Sequence, residues 1–311
     1  MDDATQALLD QVQSSGAPPV QELGPELARQ MGAAFTPMFG PGPEMARTED
    51  VAIDTADGST IEARVHVPNG DVAQVVVYFH GGGWVTGHID EFDTLGRQLA
   101  DRTGSAVVLV NYRKAPENPY PTAANDATAA VQWVADHLGD IAGADVPLVV
   151  AGDSAGGNLA AVVSRRARDA AGPAIAAQVL IYPVTDHDFS SPSYVDPAND
   201  LLLTADSMAW FWDCYCPPER RDEPDVSPAR AADLSGLPPA LVLQAEHDVL
   251  RSEGERYAEA LEVAGVPVVR QVVEGQMHGF FTMVNILPGA AEGLDFVAEH
   301  LAGVINQEVR A

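Results

Sequence analysis

Short apolar runs alternating with helically spaced stretches constrain the fold of this chain more than any other feature. The runs are VVVYF (75–79), AVVLVN (106–111), PLVVAG (147–152), AAQVLIYPV (176–184), ALVLQA (240–245) and VPVVRQVV (266–273). Runs without polar interruption suit strands buried on both faces, as in a parallel sheet. Helical stretches at about 122–138, 156–171, 251–264 and 290–302 supply the crossovers that parallel strands require. The sequence thus predicts an α/β fold, a mostly parallel central sheet flanked by helices. Ahead of the runs, TIEARVHV changes the period to two. Ile61, Ala63, Val65 and Val67 alternate with Glu62, Arg64 and His66, which predicts a half-exposed strand with His66 on its polar face. Asp57-Gly58 before it signals a hairpin turn.

Two segments stand outside this rhythm. Residues 1–48 read as helices and then loop, with Leu8, Leu9 and Val12 on one apolar face and Leu23, Leu27 and Met31 on another. Pro37, Gly40, Pro41, Gly42 and Pro43 end that pattern. Residues 185–237 separate two strands and carry Trp210, Phe211, Trp212 and Tyr215. An insertion so long in a compact fold is usually a functional lid. The expected organisation is a catalytic domain of residues 49–184 and 238–311, with 1–48 and the inserted 185–237 forming a helical cap. Cys214 and Cys216 are too close for a relaxed disulfide and do not match zinc or CxxC spacing, so both are expected as free thiols.

Charge narrows the partners. Among 311 residues, 45 acidic side chains face 17 basic ones, a net charge of −28, and Lys114 is the one lysine. Such an excess repels nucleic acid and anionic membranes. It fits a solvated acidic surface or adaptation to salt. No apolar stretch approaches the ~18 residues of a membrane span. The start MDDATQALLD lacks the basic and apolar regions of a signal peptide, which makes the expected location cytoplasmic. The expected partner is a small molecule, with neither nucleic acid nor membrane involved and a homodimer left open.

Chemistry concentrates at three places. PLVVAGDSAGGNLAAVV places Gly152-Asp153-Ser154-Ala155-Gly156 between a buried strand and a helix, the setting in which G-x-S-x-G exposes a nucleophilic serine. A serine needs a base and the base an orienting carboxylate, arriving in the chain order Ser, Asp or Glu, His. Asp248 follows the run at 240–245 and His278 follows the run at 266–273. Glu246 and His247 compete less well because they lie closer to the strand, and the Asp-His-Asp at 186–188 has no ligand set around it for a metal. The third place is His80-Gly81-Gly82-Gly83-Trp84, after the run at 75–79. An oxyanion needs backbone N–H groups at close range, and side chains there would obstruct them. Gly82, Gly83 and Ala155 are the expected oxyanion donors. Trp84, Trp210, Phe211 and Phe280 are the candidate substrate contacts. The chemistry requires no metal and no organic cofactor.

In combination and order, HGGGW (80–84), YRKAPE (112–117), GDSAGG (152–157), the Asp-x-Leu at 248–250 and HGF (278–280) resemble the hormone-sensitive-lipase-like family of bacterial carboxylesterases, within the α/β-hydrolase fold. The resemblance runs from about residue 50 to the C-terminus. It implies a cap built from the N-terminal helices and an insertion after the sixth strand, an HGGG loop braced by the YRxAPE segment, and hydrolysis of short- to medium-chain acyl esters. Lys114 stands where the family usually has leucine. A lactonase, amidase or specific deacetylase would use the same groups. The plant gibberellin receptors resemble the family but have lost the histidine that this chain keeps as His278.

Overall fold

The computed structural model describes residues 1–308. Its strands are β1 (Arg47–Asp54), β2 (Thr60–Val67), β3 (Gln74–Phe79), β4 (Ser105–Asn111), β5 (Leu148–Asp153), β6 (Ala177–Ile181), β7 (Ala240–His247) and β8 (Val268–Met277). They form one sheet in the order β1-β2-β4-β3-β5-β6-β7-β8. The strands from β3 to β8 pair in parallel, while β2 runs antiparallel to both β1 and β4.

The helices are α1 (Asp3–Ser14), α2 (Val20–Phe35), α3 (Asp93–Thr103), α4 (Thr122–Asp136), α5 (Leu138–Ala142), α6 (Ala155–Asp169), α7 (Pro192–Val195), α8 (Ala205–Tyr215), α9 (Arg251–Val263) and α10 (Pro288–Glu308). Alternation along the central strands splits the core into two layers. Val75, Val77 and Phe79 join Leu159 of α6 and Tyr257 of α9 on one face, and Val76 and Tyr78 join Leu95 of α3 and Leu294 of α10 on the other. Period-two geometry makes neighbours on one strand serve opposite layers, which is why the central runs at 75–79 and 147–152 contain no polar break.

Several sequence expectations change in detail. VPVVRQVV is not buried on both faces: β8 is an edge strand with most of Val268–Val272 only half-buried. His66 is fully buried rather than on a wet face, because α3 lies over it; its Nδ1 is 3.1 Å from Thr48 Oγ1 and its Nε2 3.2 Å from the Asp93 carboxylate. The apolar stripe of α3, Leu95, Leu99 and Ala100, is hidden among polar residues in DTLGRQLADRT. Gly24, with φ of 75°, and Pro25 break α2 between Leu23 and Leu27, and Leu27 is exposed.

The flanking segments are tied to the sheet at defined points. Asp2 N–H donates to the Gly275 carbonyl (3.1 Å), which docks α1 beside β8. In α2, Arg29 donates from Nε to the Val85 carbonyl and from one terminal nitrogen to the Ala115 carbonyl, each at 2.8 Å, and pairs with Glu117 at 2.7 Å. Asn158 of α6 ties the start of the 185–237 insertion, at the Val184 carbonyl (3.0 Å), to its later part, at the Val226 carbonyl (2.8 Å). No helix among the described residues is long and apolar enough to cross a membrane.

Candidate active site

β5 ends at Asp153, α6 begins at Ala155, and the single residue between them is Ser154. Its φ of 55° and ψ of −119° are a costly conformation for a residue with a side chain. The turn is tight enough that a Cβ on Gly156 would collide with the Phe79 carbonyl of β3. The small residues around Ser154 thus follow from close backbone approach, and the strain holds the hydroxyl at the mouth of the sheet.

Two later loops bring partners to that hydroxyl. His278 follows β8 and its Nε2 lies 3.0 Å from Ser154 Oγ. Its Nδ1 lies 2.7 Å from Oδ2 of Asp248, the first residue after β7. Asp248 is fully buried, and its other oxygen accepts the Leu250 N–H at 2.8 Å. With an acceptor at Nδ1, the imidazole carries its proton there and leaves Nε2 free to accept from the serine. The Tyr182 ring packs against the imidazole with centroids 4.6 Å apart.

The glycine loop supplies the other half of the site. The Gly81 N–H is used internally, donating to Asp153 Oδ1 at 2.9 Å, where the Tyr78 hydroxyl also donates at 2.8 Å. Among the described residues, the N–H groups of Gly82, Gly83 and Ala155 have no such bond. Gly82 adopts φ of 103°, and its carbonyl accepts from the N–H groups of Val85 (3.0 Å) and Thr86 (2.8 Å). Behind the loop, the Tyr112 hydroxyl donates to the His80 carbonyl (2.8 Å), and the His80 ring stacks on Tyr112 with centroids 4.4 Å apart. Burial, and then the charge of Lys114, hold His80 well below the usual imidazole range, so it remains neutral. Burial pushes the Asp153 carboxyl up to about 6, with the Tyr78 and Gly81 hydrogen bonds pulling the other way.

Lys114, the departure within YRKAPE, is accounted for here. Its ammonium donates to Asn111 Oδ1 (2.7 Å) and to the Tyr112 carbonyl (2.9 Å), which clamps the segment behind the loop. Burial, and secondarily Arg29, push it down to about 8.

Ser154, His278, Gly82, Gly83 and Phe211 line one cavity of about 410 Å3. The Phe211 ring lies directly over Gly83, where a Cβ would strike it. The other expected substrate contacts are elsewhere. Trp84 is completely buried, its φ of 59° turning the ring into the core against Tyr215, with centroids 4.1 Å apart. Phe280 is also completely buried, edge-on to Tyr182. Trp210 packs beside Phe211 and does not reach the cavity. Sequence reasoning missed Val20 and Gly32 of α2, Phe92, Leu202, Met208 and Met283, which are also part of the lining. The run Leu201-Leu202-Leu203 inside a polar insertion was the available signal for one of them. Asp186 pairs with Arg230 at 2.7 Å, and Cys214 and Cys216 are free thiols.

Residues 76–282 match the family described as alpha/beta hydrolase fold. The chain is 43% identical over 262 residues to the esterase LipI of Mycobacterium tuberculosis, covering 80% of this chain and 79% of that one. It is 37% identical over 285 residues to an ethyl acetate hydrolase of Pseudomonas putida, covering 89% of each. Among solved structures, a hyperthermophilic esterase from the archaeon Pyrobaculum calidifontis superposes with a TM-score of 0.89 at 38% identity over 99% of both chains.

Proposed function

Because the chain belongs to the alpha/beta hydrolase fold family, on its hormone-sensitive-lipase-like branch of bacterial carboxylesterases, we propose that it cleaves short- to medium-chain acyl esters through an acyl-enzyme on Ser154. The observation that carries this reading is the unbroken hydrogen-bonded line Asp248–His278–Ser154 beside three unspent amides. Ser154 Oγ attacks the ester carbonyl as His278 Nε2 takes its proton, and the Asp248 carboxylate stabilises the resulting imidazolium. The oxyanion is held by the N–H groups of Gly82, Gly83 and Ala155, the last at the N-terminus of α6 where the helix dipole adds partial positive charge. His278 then protonates the leaving alcohol. Water repeats the sequence on the acyl-enzyme and releases the acid.

Residues 1–48 and 185–237 act in this reading as the cap, with Phe211 and Met208 of α8 and Val20 of α2 limiting the space above the serine. Walls drawn from two separate segments suit a soluble substrate that enters between them. The test is a panel of p-nitrophenyl esters from acetate to palmitate, with matched amide and lactone substrates, run on wild type and Ser154→Ala. The expected result is best turnover on the short and medium esters, abolished by the substitution. Equal turnover by Ser154→Ala, or turnover of the amide or lactone alone, would overturn it.

A further inference from the structure

A second cavity of about 300 Å3 adjoins the one over Ser154. The two share Gly32, Phe92, Leu202, Thr282 and Met283, so they meet along a common wall. The far side of the second chamber is apolar: Leu8 and Val12 of α1, Phe35 at the end of α2, then Phe39 and Ile286. An ester with its carbonyl at Ser154 and one arm directed past Phe92 and Met283 would enter it.

One ionisable side chain, Glu91, stands in that apolar lining. Its carboxyl lies against α2 at Gly32, where a Cβ would come within 2.9 Å of Oε2, so the missing side chain makes room for it. Burial pushes this carboxyl up to about 7; Lys114 and the His88 amide oppose the shift, and Asp90 adds to it. Lys114 spends its hydrogen bonds on Asn111 and the Tyr112 carbonyl instead. A carboxyl has acceptor positions for about four donors, and among the described residues no side chain donates to this one. A plain alkyl end pressed against it removes water and returns no hydrogen bond, whereas a hydroxyl end restores one.

We propose that the chamber receives the far end of one ester arm, and that Glu91 selects an arm ending in a hydroxyl over an alkyl arm of equal length. The substrate class is thus an ester of an ω-hydroxy acid or of a diol. This rests on reading Ser154 as the ester-cleaving nucleophile.

Two matched series test it: p-nitrophenyl ω-hydroxyalkanoates against alkanoates, and ω-hydroxyalkyl acetates against alkyl acetates, from butyl to decyl. Each kcat/KM is taken relative to the acetate value of the same variant. In wild type, the hydroxylated member of one series is favoured about tenfold, the worth of one hydrogen bond. Glu91→Gln, which keeps an acceptor, preserves the preference, and Glu91→Leu reverses it. Equal ratios in both series, or a preference that survives Glu91→Leu, would overturn the proposal. Binding without turnover separates this inference from the esterase reading. 1,8-Octanediol should raise the melting temperature of wild type more than 1-octanol does, and equal shifts count against Glu91 even in a protein that hydrolyses none of the esters.

Discussion

Gly82→Ala is the substitution whose consequences the geometry fixes most tightly. Gly82 sits at φ of 103°, and a Cβ there would lie 2.5 Å from the Thr86 carbonyl oxygen and 2.6 Å from Thr86 Oγ1. Carbon and oxygen settle no closer than about 3.3 Å, so the loop must shift by roughly 0.8 Å. Thr86 is itself bonded to the Gly82 carbonyl, so relief has to come from turning the peptide that presents the Gly82 N–H. Losing one oxyanion donor costs about 10²–10³ in kcat, or roughly 2.7–4 kcal/mol of transition-state stabilisation. The backbone strain costs a further 1–3 kcal/mol or so of folding stability. Gly58→Ala is the control: φ is 82° in the β1–β2 hairpin with nothing near the Cβ, so the strain is similar and the site is untouched. Steady-state kinetics on p-nitrophenyl acetate and thermal melts of both variants decide the matter. Both should melt earlier than wild type, and only Gly82→Ala should lose the two to three decades in kcat, with KM changed less than about threefold. A Gly82→Ala enzyme within threefold of wild type in kcat would show that this amide does not hold the oxyanion.

Three further outcomes follow from the same contacts. Asp248→Asn should cut kcat by about 10⁴ while leaving KM near wild type, since it places the imidazole in the wrong tautomer; pre-steady-state kinetics would show the loss in the acylation step. Asp153 is pushed from 3.8 to about 6, so the native state holds its proton longer and stability falls as pH rises through that window. Asp153→Asn should therefore gain up to about 3 kcal/mol at pH 7.5 and nothing near pH 4, read by urea unfolding. Arg29→Gln should cost about 1–3 kcal/mol, because two carbonyl bonds are lost and the half-exposed Glu117 pair adds little.

How far the sequence could be read follows from which interactions are local. The six apolar runs became β3 to β8 because short, mainly apolar stretches rich in valine, leucine and isoleucine have few other homes, and the turn at Ser154 showed itself through small residues forced by backbone approach. Asp248 and His278 could be placed because strand ends converge on one edge of a parallel sheet. Aromatic direction was another matter. Trp84 and Phe280 adjoin site residues in the chain, yet φ at Trp84 and packing against Tyr182 send both rings into the core. His66 looked exposed by alternation because α3, which covers it, has too weak an apolar stripe to be seen. The cavity lining drawn from α2, Phe92 and Met283 depends on how distant segments close over one another, which no local pattern encodes.

The central claim, that Ser154 is the residue acylated by substrate, is tested most directly by reacting the protein with a p-nitrophenyl alkylphosphonate and locating the adduct by peptide mass. The account predicts one equivalent of p-nitrophenol released, one phosphonyl group on the peptide containing Ser154, and no label on a folded Ser154→Ala variant. A stoichiometric adduct on any other residue, or labelling unchanged in Ser154→Ala, would contradict it.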